Sequence, residues 1–273
     1  MAESDDLQAE LILISSHLDA FLQHRLWFAP PPTADEVILA KDYWNSGRFR
    51  HDLEGFAAAR EIPDLAIAAS LWNKHYNNAL IPAILPAMTL LGVGLNASLE
   101  NVSLVLKNQI PQAIALHQLS DAVIYPPRWG RDALPQANIV GECADLYRFG
   151  LRSLLEHLSV AIAHINHLTR LPPSVMWGNT GNVCDYLYGE LANCPGGAIA
   201  AQGDRQLIFD CPENPAGKGR NPLYQTVVCK TVNNADGSTP MTLRRTCCLL
   251  FRLPDSHYCG NCPIKHRADG VSV

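Results

Sequence analysis

Residues 244–263 read RRTCCLLFRLPDSHYCGNCP, and this string organises the reading of the whole 273-residue chain. Cys247 and Cys248 are adjacent, ten residues follow, and Cys259 and Cys262 close a CxxC loop around Gly260 and Asn261. A CxxC pair alone fits a thiol–disulfide couple, half a metal site or chance. Four thiols within sixteen residues are a narrower signal, because thiolates favour zinc, copper(I) and iron–sulfur centres. Neighbouring residues of a regular strand point to opposite faces, so Cys247 and Cys248 can share one centre only where the backbone turns or a strand ends. Gly260 frees the second loop to curl, and Pro263 stiffens its exit. On residue types alone, a structural zinc site and an iron–sulfur centre both stand. The vicinal first pair is unlike the separated pairs of four-cysteine zinc sites.

The other cysteines, Cys143, Cys184, Cys194, Cys211 and Cys229, are scattered and read as core or surface thiols. Nine cysteines are an odd count and too sparse for a small secreted disulfide scaffold. The chain opens with Glu3, Asp5, Asp6 and Glu10, the wrong start for an export leader, so a cytoplasmic protein is expected. A net charge of -5 argues against nucleic-acid binding, and 48% hydrophobic residues argue against disorder. The surroundings of the cysteine string differ from this acidic background. Arg244, Arg245, Arg252, Lys265 and Arg267 stand there against Asp255 and Asp269. Cations beside a negative redox centre favour its reduced form and attract an anionic substrate or an acidic electron donor.

Upstream, the periodicities predict mainly helices. Residues 7–28 carry an apolar stripe of Leu7, Leu11, Ile14, Leu18, Phe21 and Leu22, ended by Pro30–Pro32. Asp35-Glu36 opens a further helical stretch with Tyr43 and Trp44. Asp64 is a cap for a helix to about residue 78, followed by a second helix over 79–91. The apolar run 79–95, ALIPAILPAMTLLGVGL, is too short and too interrupted by proline and glycine for a membrane span. Strands are expected near 98–106 and 110–117 around a Lys107-Asn108-Gln109 turn, then a loop through Pro126, Pro127 and Gly130. The sequons at Asn96 and Asn101 read as chance matches. A long helix over 141–169 bears His157, His164 and His167 and stops at Pro172-Pro173. Ser174 then caps a helix to about Leu191. Residues 203–220 read as loop with a short strand at 206–209, and their AGKGR lacks the residues of a phosphate loop. Extended segments at 223–232 and 241–251 flank a turn at 233–238.

The CC-x10-CxxC string resembles the C-terminal cysteine signature of the ferric siderophore reductase family typified by FhuF. Trp177-Gly178-Asn179 is similar to that family's W-x-N element, and Asn221-Pro222-Leu223 also resembles it; the likeness covers roughly residues 60–266. The pattern of elements is that of an α+β fold, mainly helical with a small antiparallel sheet. The expected organisation is a body over 1–240 that docks the siderophore and a cluster-binding segment over 241–273. Cys247, Cys248, Cys259 and Cys262 would hold one 2Fe-2S cluster per chain. The implied activity is one-electron, outer-sphere reduction of Fe(III) in an imported, hydroxamate-type siderophore, with no covalent catalytic residue. A ferredoxin or an NADPH-dependent flavoprotein reductase would be the donor, since no GxGxxG fingerprint is present. Trp177, Asn179, Arg244, Arg245 and Tyr258 are candidates for the cluster's environment. Trp72, Lys74, His75 and Tyr76 are candidates for a substrate mouth. The competing readings are a zinc-stabilised structural or interaction protein on the same cysteines, and a relative of siderophore-biosynthetic enzymes.

Overall fold

A computed structural model describes residues 2–129, 138–234, 237–254 and 256–268. Helix α1 (Ala2–Ser16) buries Leu7, Leu11 and Ile14. It ends earlier than the apolar stripe predicts, because Ser16 Oγ and His17 Nδ1 both bond the carbonyl of Leu13 and satisfy the last turn. Leu18 and Leu22 are still buried, from the turn that leads to strand β1 (Leu26–Trp27). Where a helix is expected at Asp35-Glu36, the chain forms strand β2 (Glu36–Leu39). Asp35 explains the change: its Oδ2 accepts from the Asn108 amide at 2.7 Å, fastening this segment to the neighbouring hairpin. Helices α2 (Ala40–Asn45) and α3 (Arg48–Ala58) follow.

Helix α4 (Leu65–Pro86) begins at Asp64, whose Oδ1 accepts from the Ala66 amide at 2.8 Å. It is one helix where two are expected. Pro82 removes one backbone donor without ending it, and a π-helical turn at Ala87–Leu91 carries it to Gly92, which stops it at φ 66°. Four short strands and one helical turn come next: β3 (Val93–Gly94), β4 (Val102–Lys107), β5 (Ile110–Leu116), β6 (Val123–Ile124) and α5 (Pro126–Trp129). The expected hairpin is present, turning on left-handed Asn108 and Gln109. Gly130 of the expected loop lies outside the described residues. Strand β7 (Asn138–Ile139) precedes helix α6 (Cys143–Leu146), a π-helical turn at Tyr147–Leu151 and helix α7 (Arg152–Thr169). Helix α8 (Pro173–Asn193) starts on Pro173, with Ser174 inside its first turn instead of capping it. Residues 206–209, expected as a strand, belong to helix α9 (Ala198–Asp210), where Ile208 and Phe209 are buried. Strands β8 (Val227–Asn234) and β9 (Gly237–Arg244) pair from Val227↔Arg244 onward, and the centre of their turn lies outside the described residues. Helix α10 (Pro263–Ala268) closes the described chain.

The sheets are more mixed than the single antiparallel one expected. The largest runs β1-β5-β4-β2, with β1 parallel to β5 and the other pairs antiparallel. Three short strands, β3-β6-β7, form a second, and β8–β9 is a separate hairpin that passes through position 240/241. Helix α4 lies at the centre, packed by β5, α3, α7 and α8, and is buried almost all round. At its sheet end Tyr43, Trp44, Phe49, Trp72 and Tyr76 form one aromatic cluster. Trp44 Nε1 donates to Tyr76 Oη at 3.1 Å, Tyr76 Oη meets His157 Nε2, and His157 Nδ1 reaches the Ala97 carbonyl at 2.8 Å. His157 is thus a buried tether, and His164 lays its ring against Trp44. No helix among the described residues is long and apolar enough to cross a membrane.

Candidate metal centre

Helix α4 carries a polar stripe at Ser70, Asn73, Lys74 and Asn77, a spacing that places all four on one face. That face meets α8 and the C-terminal segment. Asn179 of α8 is fully buried there, its Nδ2 donating to the Ser70 carbonyl at 2.9 Å and to Asn73 Oδ1 at 3.2 Å. Its Oδ1 accepts from Arg244 Nη2. Arg244 ends β9 and is itself 1% exposed. Asn179 therefore ties the central helix to the strand that delivers the cysteines.

Beyond Arg244 the chain leaves the strand. The Thr246 hydroxyl donates to the Ser174 carbonyl at 3.1 Å and sits against Gly178, where a Cβ would lie 1.9 Å from Thr246 Oγ1. Only a glycine lets α8 come this close. Leu249 adopts a left-handed φ of 66°, and its amide donates to Cys247 Sγ at 3.3 Å. The strand has already ended at Arg244, and the chain bends at residues 245–246 and again at 249, so the two adjacent cysteines lie outside regular strand geometry. The CxxC loop returns beside it. The Arg244 amide donates to the Asn261 carbonyl at 3.1 Å, Asn261 Nδ2 donates to Asn182 Oδ1 at 2.6 Å, and His266 Nε2 donates to the Gly260 carbonyl at 2.9 Å.

Two of the four thiols touch: Cys248 Sγ lies 3.2 Å from Cys259 Sγ, and Cys247 is near enough to Cys248 and Cys262 for their charges to bear on it. Cys248 and Cys262 are each 1% exposed, and Cys247 and Cys259 are half-buried. Lys74 Nζ stands 3.0 Å from Cys248 Sγ, and the Ser70 hydroxyl donates to the Cys248 carbonyl at 2.8 Å. The Cys259 hydrogen bond, with the Lys74 and Arg244 cations, holds the Cys248 thiol well below the usual thiol range. Burial pushes Cys247 the other way. Among the described residues no three His, Cys, Asp or Glu side chains are grouped to hold a metal ion. Four neighbouring cysteines suit a two-iron cluster, which takes four thiolates. The buried Nε of Arg244 has no hydrogen-bond partner among the described residues, so an unused donor stands near Cys248, where negative charge would be held. The donor set therefore fits a 2Fe-2S cluster.

Residues 70–239 match the family described as "Ferric iron reductase FhuF-like transporter", and residues 244–263 match the "FhuF 2Fe-2S C-terminal domain". The chain belongs to the FhuF-like family. A curated relative, the ferric siderophore reductase of Escherichia coli (strain K12), is 35% identical over 92 residues. That alignment takes in 33% of this chain and 31% of the relative, so less than a third of the relative's length is matched. Among solved structures, the aerobactin synthetase IucC from a hypervirulent pathotype of Klebsiella pneumoniae superposes with a TM-score of 0.52 at 17% identity, over 71% of this chain and 37% of that one. The synthetase IucA from the same source gives 0.51 at 13% identity, over 64% and 34%. The FhuF-like chain shares a fold with part of these larger proteins.

The remaining candidates divide. Lys74 is at the cysteines, where the sequence reading placed it at a substrate mouth. Trp72 and Tyr76 line no opening: both are completely buried in the aromatic cluster. His75 faces Phe56, and burial, with Arg60 and Lys74 nearby, pushes it down to about 4. Tyr258 stacks on Phe251 at 5.4 Å and stays half exposed, one residue from Cys259. Arg245 is exposed and donates to Gln225 Oε1 at 2.9 Å, pointing away from the buried Arg244. Trp177 is half-buried and lines two adjoining cavities beside the cysteine segment. Ser70, Asn182 and His266 were missed as site residues. The Ser70–Asn73–Lys74–Asn77 stripe is a signal that could have found the first.

Proposed function

We propose that this protein is a ferric-siderophore reductase that passes one electron at a time to chelated Fe(III), releasing Fe(II). The observation that carries the reading is the contact of Cys248 with Cys259 beside Lys74 and the buried Arg244, with Cys247 and Cys262 close by. When bound, a 2Fe-2S cluster on Cys247, Cys248, Cys259 and Cys262 supplies a one-electron reductant. Lys74 and Arg244 place positive charge against the sulfur side, which favours the more negative, reduced form. Asn179 fixes Arg244, while Thr246 and Gly178 fix the approach of the cysteine segment to α8. Trp177 stands where a chelate would come to rest, and Tyr258 covers the outer side beside Cys259.

No bond of the protein forms or breaks in this reading. One electron enters from a donor, and Fe(III) in the chelate becomes Fe(II), which hard oxygen ligands such as hydroxamates hold less well. The donor is a ferredoxin or an NADPH-dependent flavoprotein reductase, and the setting is the cytoplasm, where siderophores arrive after import. Residues 241–273 carry the redox site, and the body over 1–240 receives the chelate. The test is a single turnover under anaerobic conditions. Protein reduced with dithionite and freed of excess reagent is mixed with a ferric siderophore and an Fe(II)-trapping dye. About one Fe(II) per chain is expected, as one centre stores one electron. Absence of any Fe(II) from hydroxamate, catecholate and citrate chelates alike would refute the reading.

A further inference from the structure

Two adjoining cavities open beside the cysteine segment. The first has a volume of about 660 Å³ and is bordered by Arg148, Arg152, Lys218 and Arg220. The second, about 390 Å³, is bordered by Arg220, Arg245 and Thr246. Trp177, Arg220 and Pro222 line both, so the two form one groove that reaches Thr246, the residue before Cys247. Its size is in the range that encloses a drug-sized ligand.

The groove's charge is unusual for this chain. Five cations border it against one acid, Glu156, in a protein whose net charge is -5. Arg152 is paired with Glu156 at 2.8 Å, and Arg148 with Asp145 at 2.7 Å. Lys218, Arg220 and Arg245 have no ion pair among the described residues, and all three are exposed. Three cations without an acidic partner around one aromatic side chain suit a bound anion. Guanidinium groups favour carboxylates in particular, through paired charge-assisted hydrogen bonds.

We infer that this groove is the docking site for the ferric chelate, and that it selects an anionic chelate bearing free carboxylates over a neutral one. The inference rests on the reductase reading and names its substrate class. Three hydroxamate anions cancel the charge of Fe(III), and such a complex offers nothing for Lys218, Arg220 and Arg245 to hold. A chelate that binds iron through hydroxamates and an α-hydroxycarboxylate, with pendant carboxylates, is negative and matches the groove. Bound there, it lies against Trp177 and Thr246, one residue from a half-buried ligand cysteine.

Calorimetric titration of the full-length holoprotein tests this with gallium(III) complexes, which bind like ferric ones and are not reduced. The probes are gallium(III) citrate-dihydroxamate, which is anionic, and a neutral gallium(III) trihydroxamate. The anionic complex is expected to bind more tightly, to weaken with added salt, and to lose about tenfold or more in affinity in Lys218→Ala/Arg220→Ala. Arg245→Ala, on the other rim, should weaken it in the same direction, while neither variant shifts the neutral complex. Equal binding of the two complexes, binding of neither, or an anionic affinity untouched by both variants would overturn the inference. If the gallium results hold but the reduced protein yields no Fe(II), the reductase reading fails and the groove stands as an anion site.

Discussion

Lys74 Nζ lies 3.0 Å from Cys248 Sγ, joining the central helix to a cysteine 174 positions later in the chain. The contact sets a prediction about potential. In loaded protein, Lys74→Met removes a cation and a donor from a sulfur whose charge grows on reduction, so the midpoint potential should fall. The expected drop is on the order of 60 mV, a tenfold effect for a one-electron couple. Lys74→Arg should restore part of it. A redox titration followed optically reads the shift, and an unchanged potential in Lys74→Met would remove Lys74 from the account.

Gly178 and Thr246 make the second prediction. Gly178→Ala drives a methyl to within 1.9 Å of Thr246 Oγ1, so the cysteine segment must move off α8. A loss of about 1–3 kcal/mol in unfolding free energy is expected, with reduced iron content. Adding Thr246→Ala removes the clashing oxygen and should recover most of the loss. The double-mutant cycle therefore has to show strong coupling; additive losses would mean the contact is not the cause.

The cysteines divide by position. Cys248→Ser and Cys262→Ser should abolish visible absorbance and iron incorporation. Cys194→Ser should leave both nearly intact, because Cys194 sits at the end of α8, its thiol directed to the Glu190 carbonyl at 3.7 Å. Loss of the optical bands in Cys194→Ser, and not in Cys262→Ser, would overturn the ligand set.

His157 predicts a pH dependence of stability. Burial pushes it down to about 4, partly offset by its bond to the Ala97 carbonyl. An unfolded chain titrates this imidazole near its ordinary value of 6.5. Between pH 6.5 and 4 the unfolded state takes up a proton that the fold refuses, so stability present above 6.5 is lost as the pH falls. His75, pushed down for the same first reason, adds to the slope. Urea denaturation across this window should show the decline, and His157→Gln should flatten it. A slope identical in that variant would assign the acid sensitivity elsewhere.

The sequence carried the cysteine site further than the fold around it. The four cysteines were legible because thiols at such spacing have few uses. The need for Cys247-Cys248 to lie at a turn or a strand end was also legible, and the chain meets it by leaving β9 at Arg244; the left-handed backbone of Leu249 just beyond is one that no composition rule would assign to leucine. Asp64 and the β4–β5 hairpin followed from local chemistry. The helix expected at Asp35 and the strand expected at 206–209 did not, because each was decided at a distance: Asp35 by the Asn108 amide, and Phe209 by packing under α8. Trp72 and Tyr76 look functional in sequence because they flank Lys74, yet helical spacing turns them into the core while Lys74 faces the cysteines. The cationic groove escaped notice because Arg148, Arg220 and Arg245 come from three separated segments.

Low-temperature electron paramagnetic resonance of the dithionite-reduced protein, with iron and acid-labile sulfide counted on the same sample, decides whether the four cysteines hold a two-iron redox centre. About two irons and two sulfides per chain are expected, with a spin-one-half signal from one unpaired electron that disappears when a ferric siderophore is added. Colourless protein holding one zinc and no sulfide after anaerobic preparation would contradict this expectation.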